Sequence, residues 1–167
     1  VPPFKNPPNP NVDPLVWSQV NLLGQAMAAK LHAAGKNGVI WGEIYSAFWQ
    51  GANNTTPWWH NQIALLTEVA SANLASSVRQ ERAGQERRGT AGARDGGGPI
   101  GREPVVSIPA PTDVQYRMTY PRPWLGGVWS PADAVDYTLI AIYGLIEAVA
   151  NNRVSLKRNF YNMNRRA

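Results

Sequence analysis

The sequence predicts an all-α fold, a helix bundle of about four helices, and three observations point to this class. Apolar residues recur at spacings of three and four in several long segments. Three segments begin at Asp-Pro, Thr-Pro or Ser-Pro, which is a helix-start pattern. With 44 % hydrophobic residues and no cysteine, the core is expected to be held by packing alone. An extended Pro-rich N-terminal arm, a Gly/Arg-rich loop and a basic C-terminal tail complete the predicted architecture.

By composition the chain divides into three parts. Residues 1–12 are predicted to be an extended Pro-rich arm, because prolines cannot donate the hydrogen bonds of a helix or a central strand. Residues 13–152 are the predicted helical domain, with a flexible loop at 84–104. Residues 153–167 are the predicted basic tail.

The first two predicted helices cover residues 14–34 and 38–50. Asp13 suits the N-cap of the first helix and Gly35 its end. Its apolar face is expected to comprise Val16, Val20, Leu23, Met27 and Leu31. The second helix carries apolar or aromatic residues on two adjacent stripes, so we expect neighbouring elements to surround it.

The third predicted helix covers residues 57–83 and starts at Thr56. At 1.5 Å per residue it would span roughly 40 Å and be the longest element. After it, residues 84–104 contain seven glycines and almost no large apolar side chain, which is typical of a loop.

The fourth predicted helix covers residues 131–151. Ser130 and Asp133 are spaced like the two members of a capping box. One face is expected to comprise Val135, Leu139, Ile142, Ile146 and Val149. Further apolar residues lie nearly opposite, so this helix is predicted to occupy the centre of the bundle.

The sequence offers no combination of residues for catalysis. His32 and His60 stand alone, without the partner that orients a catalytic histidine. The glycines at 96–101 follow no predicted strand and precede no Lys-Ser or Lys-Thr, unlike a phosphate-binding loop. We therefore predict a protein that is not an enzyme, with no catalytic residue, no bound metal and no cofactor.

Charge is distributed very unevenly. The chain carries 16 basic and 11 acidic residues, and residues 1–152 contain 11 of each, so the net charge of +5 lies in the last fifteen residues. Basic side chains neutralise phosphates, and amide and aromatic groups beside them can contact sugar, phosphate or base. The predicted nucleic-acid contacts are Arg153, Lys157, Arg158, Arg165 and Arg166. A second, weaker set has acidic residues close by in the sequence and comprises Arg79, Arg82, Arg87 and Arg88.

Subunit contacts are expected at apolar residues that a single small core does not need. Seven tryptophans are present, and tryptophan is enriched in protein interfaces. The arm has apolar residues but few ways to pack them locally, so it is expected to pack on a neighbouring subunit. The predicted interface residues are Phe4, Val12, Trp58, Trp59 and Trp124.

This organisation resembles the coat proteins of helical, filamentous viruses. The segments that carry the likeness are VPPFKNPPNPNVDP, RVSLKRNFYNMNRRA and the predicted helices that begin at Asp13, Thr56 and Ser130. In those families small helical subunits polymerise around the genome, and inward-facing Arg, Lys and amide side chains hold phosphates without reading sequence. Coats of rod-shaped plant viruses share the long helix followed by an arginine loop. Because the strands of that plant type are not predicted here, the resemblance favours the coats of filamentous archaeal viruses.

The resemblance implies a structural protein that binds nucleic acid and self-assembles into a helical capsid. Double-stranded DNA is favoured over RNA as the genome, and the expected protein partners are copies of the same chain, with or without a paralogous coat subunit. The expected location is the virion, assembled in the host cytoplasm, without membrane insertion. Two alternatives stay open: a retrovirus-like capsid domain, and a small nucleoid or regulatory DNA-binding protein.

Overall fold

The structure is a computed structural model of the 167-residue chain, and its described residues form two helices, a 3₁₀ turn and a small sheet. It describes residues 2–3, 8–44, 46–70, 77–84 and 106–166, with the backbone alone at 106–108. The elements are α1 (Pro14–Ala33), a 3₁₀ turn (Thr56–His60), β1 (Val78–Gln80), β2 (Val106–Ile108), β3 (Gly127–Trp129) and α2 (Pro131–Arg166). The prediction of an all-α bundle of four helices is therefore wrong.

Helix α1 begins and ends almost as predicted. The Asp13 carboxylate accepts a hydrogen bond from the Leu15 amide at 2.9 Å, which caps the helix, and Pro14 occupies the first turn. The predicted apolar face is buried along its whole length, at Val16, Val20, Leu23, Met27 and Leu31. Local sequence signals were sufficient for this element.

Helix α2 begins as predicted but ends about four turns later than expected. The Ser130 amide donates to the Asp133 carboxylate at 2.8 Å, and the Asp133 amide donates to the Ser130 hydroxyl at 3.3 Å. This is the predicted capping box. The helix then continues to Arg166, so residues 153–166 form regular helix and the predicted basic tail is the C-terminal part of α2.

Packing explains why α2 continues beyond Asn151. Met163 is buried in a core cluster together with Val12, Val16 and Trp58. This contact holds the last turns of the helix against the rest of the molecule. In addition, the Asn152 side chain donates to the carbonyl of Ala148 at 2.8 Å, so this amide lies along the helix and does not end it.

The two helices pack antiparallel. Lys30 donates to both carboxylate oxygens of Glu147 at 2.8 Å, and Arg166 near the end of α2 reaches Asp13 at the start of α1 at 3.0 Å. The backbones approach closely at Gly144, where an added Cβ would lie 2.8 Å from the Lys30 Cβ and 3.1 Å from the Ala26 carbonyl oxygen. Only glycine fits this position without displacing α1.

The described residues within 38–50 form no helix, so the second predicted helix is wrong. Gly38 and Gly42 have φ angles of +80° and +76°, outside the helical region. The backbone amides of this segment donate to distant carbonyls instead of to the preceding turn. The Gly38 amide donates to Arg122 at 2.7 Å, and the Trp41 amide donates to Thr119 at 3.0 Å.

The third predicted helix, at 57–83, is also wrong. Its start forms only the 3₁₀ turn, because Asn61 adopts a left-handed conformation with φ of 57° and ends the helical path. Residues 61–70 form neither helix nor strand, and the Trp129 indole donates to the Ala70 carbonyl at 2.8 Å. The predicted Gly/Arg-rich loop at 84–104 lies almost wholly outside the described residues.

The three strands form one mixed sheet in the order β2-β1-β3. Strand β1 pairs parallel with β2 and antiparallel with β3, with Val78 opposite Val106 on one side and Trp129 on the other. Since β3 ends directly before the capping box of α2, the sheet lies at the N-terminal end of that helix.

The described part of the N-terminal arm packs on its own chain. The Gln25 side chain donates to the Pro2 carbonyl at 3.3 Å, and the Gly42 amide donates to the Pro3 carbonyl at 2.8 Å. Val12 is buried in the core beside α1. These residues contribute to the fold of the subunit, and Phe4 lies outside the described residues.

The close approach at Gly144 leads to a stability prediction. Gly144→Leu forces bulk into the α1–α2 contact and should lower the free energy of unfolding by about 1–3 kcal/mol. Ala150→Leu, at an exposed position of the same helix, is the control and should change it by less than about 0.5 kcal/mol. Urea unfolding followed by circular dichroism measures both, and equal stability of the two variants would contradict the antiparallel contact.

Candidate nucleic-acid interface

The five C-terminal cations lie on the last four turns of α2. All five side chains are exposed to solvent: Arg153, Lys157, Arg158, Arg165 and Arg166. Because the helix is anchored by Met163, these cations are displayed by a regular element whose position is determined by the core. They are not spread along a free tail.

Helix geometry separates four of these cations from the fifth. At about 100° per residue, Arg153, Lys157, Arg158 and Arg165 fall within an arc of about 140° around the helix axis. We call these four residues the cationic arc. Arg166 points to the other side, toward α1, where it pairs with Asp13.

The cationic arc is not neutralised by the described part of the chain. Lys30, Lys36 and Arg117 pair with carboxylates, at Glu147, Asp136 and Asp113 respectively. The hydrogen bond that the Lys36 ammonium donates to the Asp136 carboxylate is the main reason why the pKa of Lys36 is raised. By contrast, no side chain of the cationic arc makes an ion pair with a described residue. The positive charge on this surface is therefore available to a partner.

Interaction with the helix dipole explains the position of only some of these cations. Cations in the last turn of a helix interact favourably with its C-terminal partial charge, and this explains Arg165 and Arg166. The effect falls off within one turn. Arg153, Lys157 and Arg158 lie two turns or more before the end, so the dipole gives no reason for them.

An aromatic ring lies within the arc. Tyr161 is exposed, and the Arg165 guanidinium lies 5.7 Å from the centre of its ring. The exposed amide Asn162 follows directly. Guanidinium, phenol and amide groups can all contact phosphate or sugar oxygen, and an aromatic ring can stack on a base.

The second set of predicted contacts lies elsewhere. Arg79 is exposed on β1 and Arg82 is exposed just after it, at the sheet end of the molecule. The sheet adjoins the N-terminal end of α2, whereas Arg166 lies about 54 Å further along a 36-residue helix. The structure thus separates these two arginines from the cationic arc. Arg87 and Arg88 lie outside the described residues.

A second feature of α2 is an exposed apolar stripe. Its members are Val135, Leu139, Ile142, Ile146 and Val149. The sequence predicted that this helix occupies the centre of a bundle, but in the structure, where the second and third predicted helices do not form, this face is exposed. The spacing of four and three is that of a helix-packing seam. Arg153 and Lys157 continue its line toward the C-terminus.

Loops provide another exposed apolar surface. Ile44, Phe48 and Trp49 in one irregular segment, and Tyr116 and Met118 in another, are all more than half exposed. The segments are linked by the backbone contact of Trp41 with Thr119 and by the approach of Arg117 to Glu43 at 3.8 Å. We call these five residues the loop patch.

The predicted interface tryptophans lie mostly inside the subunit. Trp58 is fully buried and its indole donates to the Ala64 carbonyl at 2.9 Å. Trp59 is half-buried against the same core cluster, and Trp124 is half-buried beside a cavity. Like Val12, Trp58 offers no surface to a neighbouring subunit in this conformation.

The sequence contained a signal for the longer helix. Leu156, Phe160 and Met163 continue the spacing of four and three beyond Asn151, and no glycine or proline interrupts them. No sequence signal predicted that the apolar stripe is exposed. Its periodicity would be the same if another part of the chain covered this face.

The described residues offer neither a metal-binding cluster nor a membrane-spanning helix. No cluster of three or more His, Cys, Asp or Glu side chains that could hold a metal ion occurs in the part of the chain that the structure describes. Within the same residues, neither helix combines the length and the apolar character that crossing a membrane requires.

Comparison with known proteins gives no relative. No protein-family model, no curated protein and no solved structure matches this chain. The function of the protein is therefore inferred from its residues alone.

Proposed function

We propose that this protein is a structural subunit that binds nucleic acid through phosphates and assembles with copies of itself into a helical nucleoprotein filament, as coat proteins of filamentous viruses do. The observation that carries the proposal is the cationic arc. It comprises four exposed cations on one side of a core-anchored helix, unpaired with any described carboxylate.

The arrangement of the arc favours contact with phosphates over readout of bases. Phosphate contacts depend on charge and are independent of sequence. Arg153 and Lys157 lie one turn apart, and Arg158 and Arg165 two turns apart, so the charges repeat along the helix axis. Such a row can follow a phosphate backbone on any sequence. Double-stranded DNA is our preferred ligand.

The apolar stripe supports self-assembly. Five exposed aliphatic side chains on one helix face form a surface that is costly to leave in water. Their seam-like spacing suits another helix or a complementary apolar surface. A second copy of the chain is the simplest partner, because each copy exposes both the apolar stripe and the loop patch. Two different surfaces on one subunit allow head-to-tail contacts, which generate open helical assemblies.

One observation also favours a small nucleoid or regulatory DNA-binding protein. Such a protein presents cations on a helix that enters a DNA groove, and Arg153, Lys157 and Arg158 lie inside α2. Both functions require the cationic arc. They differ in assembly, since only the coat-like function requires filaments.

The salt dependence of binding tests the cationic arc. Replacing Lys157 and Arg158 together with Gln should make the slope of log affinity against log salt less negative by about 1.8, because each duplex phosphate that a cation neutralises contributes roughly 0.9 to the slope. Fluorescence anisotropy with short labelled duplexes measures the slope. Two unrelated duplex sequences should give the same change, because phosphates carry no sequence information.

The matched control is the pair Arg79 and Arg82, which is equally exposed and carries the same charge. Replacing both with Gln should leave the slope nearly unchanged, because they lie near the opposite end of α2. If the control pair changes the slope as much as the arc pair, binding reflects net charge and the arc is not the contact surface.

Assembly tests the apolar stripe. Leu139→Gln should reduce self-association strongly, because a polar amide replaces an apolar contact at the centre of the stripe. Sedimentation velocity and negative-stain electron microscopy follow the disappearance of oligomers and filaments. Circular dichroism should stay the same, since Leu139 is 47 % exposed in the subunit.

Leu22→Gln is the control, because Leu22 is 46 % exposed on α1 and belongs to neither surface. It should assemble like the unmodified chain. Equal assembly of both variants would remove the stripe from the interface. A protein that stays monomeric without any substitution, with or without DNA, would favour the nucleoid or regulatory alternative.

A further inference from the structure

A cavity of about 390 Å³ lies between the two helices and the sheet. Met27 and Leu31 from α1, Tyr137 and Ala141 from α2, and Trp124 and Trp129 before α2 form much of its wall. Ring contacts join the aromatic part of the wall, with Trp129 4.9 Å from Tyr137 and 6.0 Å from Trp124 between ring centres. The cavity is distinct from the cationic arc.

The polar groups of the aromatic wall already have partners within the chain. The Trp124 indole donates to the Gln80 side chain at 2.9 Å, and the Trp129 indole donates to the Ala70 carbonyl at 2.8 Å. The Tyr137 hydroxyl donates to the Asn37 carbonyl at 2.9 Å. A ligand in the cavity would therefore meet ring surfaces and aliphatic groups and few free hydrogen-bonding groups.

We propose that this cavity is a binding site for a small, uncharged, apolar molecule of aromatic or aliphatic hydrocarbon character. Its volume falls within the range of about 300–1,000 Å³ that is usual for ligand pockets. An apolar cavity of about 150 Å³ is already sufficient to bind benzene, because water gains few hydrogen bonds in such a space. This inference is independent of the proposed function.

Charge at the cavity disfavours an organic cation, the other common ligand of an aromatic wall. The Lys36 ammonium already lies over the Tyr137 ring, 5.0 Å from its centre, and so occupies one ring face that an organic cation would use. Burial raises the pKa of Tyr137, in keeping with surroundings of low polarity. Glu68 lines the cavity but its side chain is exposed, so its carboxylate can remain hydrated at the opening.

Titration with the neutral fluorophore 1-aminoanthracene tests the site. We expect saturable binding at one molecule per chain, competition by toluene, and no competition by tetramethylammonium. Two substitutions should block it. Ala141→Leu fills the cavity from α2, and Val69→Phe adds bulk at a partly exposed position of its wall. Each should weaken binding at least tenfold.

The control separates the cavity from the apolar stripe, which could also attract an apolar fluorophore. Ile146→Gln alters the stripe at a position that does not line the cavity, and it should bind the fluorophore like the unmodified chain. If Ala141→Leu does not fold by circular dichroism, Val69→Phe decides the result. Absence of saturable binding, unchanged binding in the folded cavity variants, loss of binding in Ile146→Gln or competition by tetramethylammonium would each overturn the proposal.

Discussion

The antiparallel contact between α1 and α2 is the constraint on which the rest of the structure depends. Gly144 lets the two backbones approach, and its close contact with Ala26, Met27 and Lys30 defines how far one helix is shifted along the other. This register places Met163 in the core next to Val12 and Val16. The last turns of α2 are thereby held in place. Without this anchor the cations that follow Asn151 would have no defined arrangement.

Helix α2 has three functions in this account because its faces meet different surroundings. One face packs on α1 and buries Ala141, Gly144 and Met163. A second face presents the apolar stripe, which we assign to contacts with a further copy. Toward the C-terminus the exposed side becomes the cationic arc, which we assign to phosphates. In this account one helix contacts both the neighbouring subunit and the nucleic acid. The distance between subunits would therefore set the distance between the cationic arcs of successive subunits.

The sequence predicted those parts of the fold that depend on neighbouring residues. The caps at Asp13 and Ser130 are formed by side chains that reach only two or three residues along the chain. The irregular path at 38–50 depends instead on carbonyls more than seventy residues away, at Thr119 and Arg122. Propensity and periodicity contain no information about such partners, although Gly38 and Gly42 were a local sign against a helix.

The candidate site was predictable in composition but not in geometry. The excess of cations after Asn152 is evident from counting, whereas the separation of Arg166 from the other four depends on its pairing with Asp13. The exposure of the stripe could not be read from its spacing, because a face covered by its own chain and one covered by another copy have the same pattern.

Cryo-electron microscopy of the protein mixed with linear double-stranded DNA tests the central claim most directly. Our account predicts helical filaments in which Arg153, Lys157, Arg158 and Arg165 face the phosphates and the apolar stripe contacts a neighbouring subunit. Filaments in which α2 turns these four side chains away from the DNA, or particles in which the stripe stays in solvent, would contradict it.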